Sequence, residues 1–123
     1  MLKKRNQKGF TLIEIIAVLV ILGILAAVAI PKFIDLQEQA KIKAMEGALA
    51  EGMSTMSMSY GKLLLSNAGI PTTQAVAEKA TANKPVSDEF SYTFDNGGLV
   101  SVGGKAGTGF VGITAQTKQW SKQ

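Results

Sequence analysis

The feature that most constrains this chain is a continuous apolar segment near its N-terminus. From Phe10 to Ile30 the sequence holds a single charged side chain, the carboxylate of Glu14. A helix of this length spans about 30 Å, which is the thickness of the hydrocarbon core of a bilayer. A carboxylate at the centre of such a helix costs roughly 2.5–3.5 kcal/mol, so an acid inside the segment indicates a function. We therefore predict a membrane-spanning helix that carries one functional acid.

The charge distribution argues against a nucleic-acid partner. The chain has 13 basic and 9 acidic residues, and a formal net charge of +4. Four of the basic residues precede the apolar segment, namely Lys3, Lys4, Arg5 and Lys8. Without them the side-chain charges sum to zero, whereas a surface that follows phosphates needs an excess of positive charge. Basic residues beside a membrane segment stay on the cytoplasmic side, so we expect the C-terminal part to face outward.

The segment KGFTLIE at residues 8–14 resembles the N-terminus of type IV prepilins and of type II secretion pseudopilins. In those families a short basic leader ends in Gly, Phe follows, and a Glu lies four residues after the Phe. The corresponding residues here are Gly9, Phe10 and Glu14, and the likeness continues to Pro31. It implies cleavage between Gly9 and Phe10, N-methylation of Phe10, and pairing of the new amine with Glu14 of the same or an adjacent subunit during assembly.

The same resemblance implies the partners and the location of the chain. They are a prepilin peptidase that is also the N-methyltransferase, inner-membrane assembly machinery, membrane lipid before assembly, and further copies of the chain in a homo-polymer. The precursor is expected in the bacterial inner membrane and the mature chain in an extracellular surface filament. The segment from Pro31 to Lys41 resembles mannose-sensitive haemagglutinin-type pilins, and this likeness is local.

Beyond Pro31 the pattern changes from apolar to amphipathic. Proline inside a helix removes a hydrogen bond, and this leaves two interpretations. Either one helix stops near Ile30 and another begins at Pro31, or a single long helix bends at Pro31 and loosens at Gly23. From residue 31 to residue 65 the apolar side chains recur with a spacing of three or four and form one stripe. Its members are Ile42, Met45, Leu49, Met53, Met56, Tyr60 and Leu63.

The C-terminal part predicts a small antiparallel sheet. Phe90–Phe94 alternates large apolar with small polar residues, as a half-buried strand does, and the glycines at 97 and 98 indicate a turn. We expect further strands at 99–102 and at 110–115. Thr72 or Thr73 is expected to cap a short helix over residues 74–80.

The predicted fold class is therefore α+β and pilin-like, with four segments. Residues 1–9 are a cleaved basic leader, and residues 10–30 are a transmembrane or filament-core helix. Residues 31–65 are an amphipathic helix half that packs on the antiparallel meander. Residues 66–123 are a globular head.

The composition excludes several kinds of chemistry. The chain has no cysteine and no histidine, which removes disulfides, the usual zinc ligand sets and every nucleophile–His arrangement. Asp88, Glu89, Asp95 and Asn96 could gather calcium ligands, but without EF-hand spacing we interpret them as solvated turns. The pattern G-x-G-x-x-G at residues 107–112 lacks a following helix and an acidic residue for a ribose. We predict no enzyme activity, no catalytic residue, no metal and no cofactor.

The predicted function is that of a structural pilin subunit of a type IV pilus-like filament. One alternative is the major pseudopilin of a type II secretion system. Another, of a different class, is a small secreted binding domain that an ordinary signal peptide releases, since the segment at 27–29 fits the A-x-A cleavage form. Near the C-terminus, Lys118, Trp120 and Lys122 predict either an exposed adhesive tip or a tryptophan that closes the sheet.

Overall fold

The computed structural model describes residues 9–66 and 69–122. The elements follow in the order α1 (Leu12–Ser66), α2 (Thr73–Ala82), β1 (Phe90–Phe94), β2 (Leu99–Gly104) and β3 (Gln116–Gln119). The three strands form one sheet in the order β1-β2-β3, and both strand pairs are antiparallel. A long N-terminal helix followed by a small antiparallel sheet confirms the predicted α+β fold class. The leader, apart from Gly9, lies outside the described residues.

Pro31 lies inside α1 rather than between two helices. The interpretation of a helix that ends near Ile30 is therefore wrong, and the single long helix is confirmed. The predicted bend at Gly23 and Pro31, like the four segment boundaries, stays a prediction. The chain divides into two compact units, Met1–Glu38 and Gln39–Gln123.

In the first unit every side chain from residue 9 to residue 38 is exposed. By length and composition, α1 is the helix among the described residues that could cross a membrane. Large apolar side chains in this unit point to every side of the helix, so burial within the chain does not account for them. Their sequence pattern is that of a surface for lipid or for other helices.

In the second unit one face of α1 is buried against the sheet. The buried positions recur at intervals of three or four, as one face of a helix requires. They are Met45, Ala48, Leu49, Gly52, Met56 and Ser59. Three of these buried residues, Met45, Leu49 and Met56, belong to the predicted stripe, which is confirmed at these positions. The three small residues escaped the pattern, because the pattern was drawn from large apolar side chains alone.

The sheet presents two matched pairs of apolar side chains to its inner face. In the register of β1 and β2, Tyr92 lies opposite Val102 and Phe94 opposite Val100. All four side chains are buried, whereas Ser91 on β1 is exposed. Alternation between the two faces of the sheet accounts for this pattern. The core cluster combines them with α1, α2 and the C-terminal tryptophan: Ala48, Leu49, Met56, Val76, Ala77, Ala80, Tyr92, Phe94, Val100, Val102 and Trp120.

The prediction of a third strand at residues 110–115 is wrong. Those residues follow and include turns, with Gly107 and Gly112 at φ of 84° and 86°. Left-handed backbone of this kind interrupts a strand, and glycine adopts it without a Cβ clash. The Phe110 ring instead packs on Phe90, with ring centroids 4.7 Å apart. The third strand is the polar segment Gln116–Gln119, which lacks the apolar alternation used to find strands.

The tryptophan closes the sheet against the helix. Trp120 is 6% exposed, and its ring meets the Tyr60 ring edge-on at a centroid distance of 5.7 Å. Its indole Nε1 donates to Ser57 Oγ at 3.1 Å, and its backbone N–H donates to the Gly98 carbonyl at 2.9 Å. Of the two predicted roles, closing the sheet is therefore confirmed, and the exposed adhesive tip is wrong for this side chain.

Of the two threonines predicted to cap α2, Thr72 is the capping residue. Its side-chain oxygen accepts the backbone N–H of Ala75 at 3.2 Å, which satisfies one free donor of the first turn. The helix runs over Thr73–Ala82, so it begins one residue earlier and ends two residues later than the interval predicted for it.

Gly52 lies where α1 packs tightly against the sheet. A Cβ at this position lies 2.8 Å from Val100 Cγ1, whereas a Cβ at Gly47 on the same helix meets no heavy atom within 4 Å.

We expect Gly52→Ala to lower the free energy of unfolding by about 1–3 kcal/mol through overpacking. Gly47→Ala should raise it by about 0.5–1 kcal/mol, because alanine restricts the unfolded chain. Chemical unfolding of the full chain in detergent, followed by Trp120 fluorescence, measures both. A stabilising Gly52→Ala would contradict the close packing.

Tyr92 forms a polar link between the sheet and α1. Its hydroxyl donates to Glu51 Oε2 at 2.7 Å, while the residue as a whole is 8% exposed. Burial, and then the hydrogen bond to Glu51 and the charge of that carboxylate, raise the pKa of Tyr92 above its ordinary value. The neutral form is therefore favoured in the folded state.

A raised tyrosine pKa predicts an alkaline loss of stability. The contribution is fully present below the unfolded-state pKa of about 10 and is lost as the pH rises through the folded-state value. We expect wild-type stability to fall between pH 10 and higher pH more steeply than that of Tyr92→Phe. Unfolding curves at matched pH values test this, and the difference between the two chains removes the titration of the lysines. Equal slopes would exclude Tyr92 as the cause.

Candidate functional site

The N-terminus of α1 holds a reciprocal pair of hydrogen bonds. The backbone N–H of Thr11 donates to Glu14 Oε2 at 2.8 Å, and the backbone N–H of Glu14 donates to Thr11 Oγ1 at 3.3 Å. This arrangement is a capping box, in which the residue before the helix and the third helical residue satisfy each other's free donors. The predicted functional acid therefore has a local partner in its own chain.

The position of Glu14 also suits its charge. The free N–H groups of the first turn give a helix N-terminus a partial positive charge, which stabilises a nearby carboxylate. A negative side chain in an otherwise apolar segment is thus least costly in this first turn. The sequence carried the signal, since Thr-x-x-Glu before an apolar run is typical of a capping box. Our sequence interpretation considered Glu14 alone and missed Thr11.

An apolar groove of about 500 Å³ lies beside the carboxylate. Its lining consists of Phe10, Glu14, Ile15, Val18 and Leu19. The Phe10 side chain is 87% exposed. The groove therefore offers one acidic group at the edge of an apolar surface, which suits a partner with an apolar body and a positive charge.

The structure brings three of the predicted site residues together and leaves two apart. Gly9 and Phe10 lie just before Thr11, the residue that precedes α1, and Glu14 is in the first turn of the helix. Gly9 is exposed, and a Cβ there meets no heavy atom within 4 Å. Gly23 and Pro31 lie further along α1, away from this cluster. Gly23 likewise has open space around it.

The other candidate groups do not form sites. In the part of the chain that the structure describes, no three acidic side chains lie close enough to hold a metal ion. Asp95 instead accepts the Gly97 backbone N–H at 3.0 Å within the β1–β2 turn. The glycines at 107–112 belong to the turns before β3 rather than to a strand–helix junction.

Known proteins match both the N-terminus and most of the chain. Residues 4–30 match the family model of the prokaryotic N-terminal methylation motif. The type IV narrow pilus major component PilA5 of Thermus thermophilus is 34% identical over 103 residues, which cover 84% of each chain. The chain belongs to the type IV pilin family. No solved structure gives a significant match.

Two further relatives of this type IV pilin-family chain carry names that refer to different assemblies, a type IV pilus and a type II secretion system. The type IV major alpha-pilin of Moraxella bovis is 36% identical over 81% of this chain and 71% of its own length. The type II secretion system core protein G of Pseudomonas aeruginosa is 38% identical over 67% of this chain. The match spans 58% of the length of that Pseudomonas protein. The resemblance inferred from residues 8–14 is therefore confirmed at the level of the family.

The accessible Gly9–Phe10 junction predicts the mature N-terminus. We expect the mature chain to begin at an N-methylated Phe10, and a bulky residue in place of Gly9 to leave an uncut precursor in the membrane. Intact-mass measurement of chains purified from membranes and from shed filaments tests both. A mature chain that begins at Ile30 would instead support an ordinary signal peptide.

Proposed function

We propose that this chain is the structural subunit of a type IV pilus-like filament. The observation that carries the proposal is the apolar N-terminal part of α1, which is exposed on every side and has a carboxylate in its first turn. Membership of the type IV pilin family supports it. In this role the chain has a structural rather than an enzymatic function, and its partners in the filament are further copies of itself.

The apolar part of α1 requires one of two surroundings. Its large apolar side chains in the first unit are 46–77% exposed, from Ile15 and Ile16 at the lower end to Leu12 at the upper. At about 25 cal/mol per Å² of apolar surface, leaving such a helix in water is strongly unfavourable. Lipid covers it in the precursor, and neighbouring helices cover it in the filament. Assembly thus exchanges one apolar environment for another.

Leader removal supplies a positively charged partner for the Glu14 carboxylate. Cleavage after Gly9 creates an amine on Phe10, and methylation leaves that amine cationic. A cation and a carboxylate that enter an apolar bundle together offset each other's desolvation, whereas either alone is costly. The prepilin peptidase and the assembly machinery of the inner membrane are the partners for these steps. The precursor belongs in that membrane and the mature chain in the surface filament.

The second unit forms the outer part of the filament in this proposal. Its sheet and α2 pack on one face of α1 and leave the charged side chains exposed. Head-to-tail contacts between identical subunits propagate as a fibre when the rotation between subunits does not close into a ring.

A secretion pseudopilus is the second candidate. The observation in its favour is the 38% identity to the core protein G of Pseudomonas aeruginosa. Surface filaments in cells that lack a type II secretion system favour the pilus. Loss of an exported protein upon deletion of this chain, without loss of filaments, favours the pseudopilus. A secreted binding domain is the weakest alternative, because cleavage at residues 27–29 falls inside α1.

The proposed pairing of Glu14 predicts separate effects on insertion and on assembly. We expect Glu14→Ala to leave membrane insertion intact or improve it, because a charge leaves the apolar segment. Filaments should be lost or sharply reduced, since an unpaired buried amine typically costs about 3–5 kcal/mol. Electron microscopy of surface filaments beside a membrane-fraction blot measures both effects.

Glu38→Ala is the matched control for this variant. Glu38 is an exposed acid on the same helix, beyond the apolar segment, and its removal should leave filament numbers unchanged. Normal filaments in cells that express only Glu14→Ala would contradict the pairing.

A further inference from the structure

We propose that Asn96 is a site of spontaneous deamidation, and that the Asp95 carboxylate restrains the reaction in the folded chain by holding the backbone amide that attacks. Asn96 is one of four asparagines in the sequence, and it alone is followed by glycine. Because glycine has no side chain to shield its backbone nitrogen, this nitrogen reaches a preceding asparagine side chain with little steric hindrance. Asn96 is also exposed, so water has access to it. The inference does not depend on the proposed filament function.

The reaction begins when the Gly97 nitrogen gives up its proton and attacks the side-chain carbonyl carbon of Asn96. A bond forms between these two atoms, and the bond from that carbon to the side-chain nitrogen Nδ2 breaks. The NH2 group leaves with the proton as ammonia, and the chain is left with a succinimide ring. Water then opens the ring at either of its two carbonyl groups, which gives aspartate or isoaspartate at this position.

The structure shows the attacking nitrogen already engaged. The backbone N–H of Gly97 donates to Asp95 Oδ2 at 3.0 Å. This contact is an Asx-turn, in which an acidic side chain accepts the N–H two residues further on. Attack requires the loss of this hydrogen bond and the removal of a proton beside a negative charge, and both changes are unfavourable. The carboxylate therefore opposes the step that starts the reaction.

The rest of the turn between β1 and β2 is fixed by backbone contacts. The Asp95 carbonyl accepts the Gly98 N–H at 2.8 Å, and Gly98 has a φ of 91°, as in a turn followed by a left-handed residue. The Gly97 carbonyl accepts Gln119 Nε2 at 2.7 Å. The Gly98 carbonyl accepts the Trp120 N–H at 2.9 Å. Ring closure rotates the backbone that these bonds hold, so the folded turn resists it further.

Isoaspartate changes the same turn once it has formed. It carries the backbone through the side chain and thereby lengthens the connection between β1 and β2. The bond from the Trp120 N–H to the Gly98 carbonyl joins this connection to the segment that closes the sheet. We therefore expect chains with isoaspartate at position 96 to unfold at a lower denaturant concentration than unmodified chains, as followed by Trp120 fluorescence.

Peptide mass mapping after incubation of the full chain in detergent measures the deamidated fraction at each asparagine. We expect Asp95→Ala to deamidate at Asn96 about ten-fold faster than the wild type, since a hydrogen bond to a charged acceptor no longer has to break. Asp88→Ala removes an exposed acid elsewhere and should match the wild type. Asn83 is exposed and precedes lysine, so it is the internal comparison and should stay intact.

Gly52→Ala separates a local restraint from a general loss of stability. This variant is expected to loosen the packing of α1 on the sheet without changing the turn. Faster deamidation in Asp95→Ala than in Gly52→Ala supports an effect at the turn itself. Amide exchange by NMR is the second measurement, because the Gly97 amide should lose its protection in Asp95→Ala and keep it in Gly52→Ala. In urea the wild type and Asp95→Ala should deamidate at similar rates, because the turn is absent from both.

Four results would overturn the proposal. They are an unchanged rate in Asp95→Ala, an equal acceleration in Gly52→Ala, a folded wild-type chain that deamidates as fast as the chain in urea, and an intact Asn96 in urea. Deamidation of Asn83 as fast as that of Asn96 would also overturn it, because the glycine that follows Asn96 would then have no role.

Discussion

Removal of apolar surface from water is the constraint on which the rest of this structure depends, and α1 meets it in two ways. In the second unit one face of the helix is covered by the chain's own sheet, so closely that Gly52 leaves no room for a methyl group beside Val100. In the first unit every side chain of the helix as far as residue 38 is exposed. The same helix therefore belongs to a folded head over one part of its length and presents uncovered apolar surface over the other.

The polar side chains that join the elements lie where they do not interrupt the apolar packing. The two side-chain bonds that join α1 to the sheet region, from Tyr92 to Glu51 and from Trp120 to Ser57, lie at the margins of the core. At the other end of the helix, the Glu14 carboxylate lies in the first turn, where free N–H groups stabilise it. In each case a polar atom within or beside apolar surface has a hydrogen-bond partner, because an unpaired one costs about 1–3 kcal/mol.

Sequence patterns identified the elements whose residues obey a simple period. The stripe at Met45, Leu49 and Met56, the alternation in β1 and the cap at Thr72 were all predicted and lie where they were expected. The third strand was misplaced, because its polar residues at 116–119 carry no alternation, while the apolar residues before them follow glycine turns. The capping role of Thr11 had a sequence signal that we did not use.

The sequence by itself determined the parts that follow from local order. A long apolar run, one acid in its first turn, and the Gly9–Phe10 junction are properties of consecutive residues, and they indicate the family and predict the site. Only the tertiary structure decided the parts that depend on distant residues meeting. Among these are the close approach at Gly52, the burial of Trp120 against Tyr60, and the pairing of a polar β3 with β2. Such contacts are set by packing across the sheet and helix, and no periodicity along the chain records them.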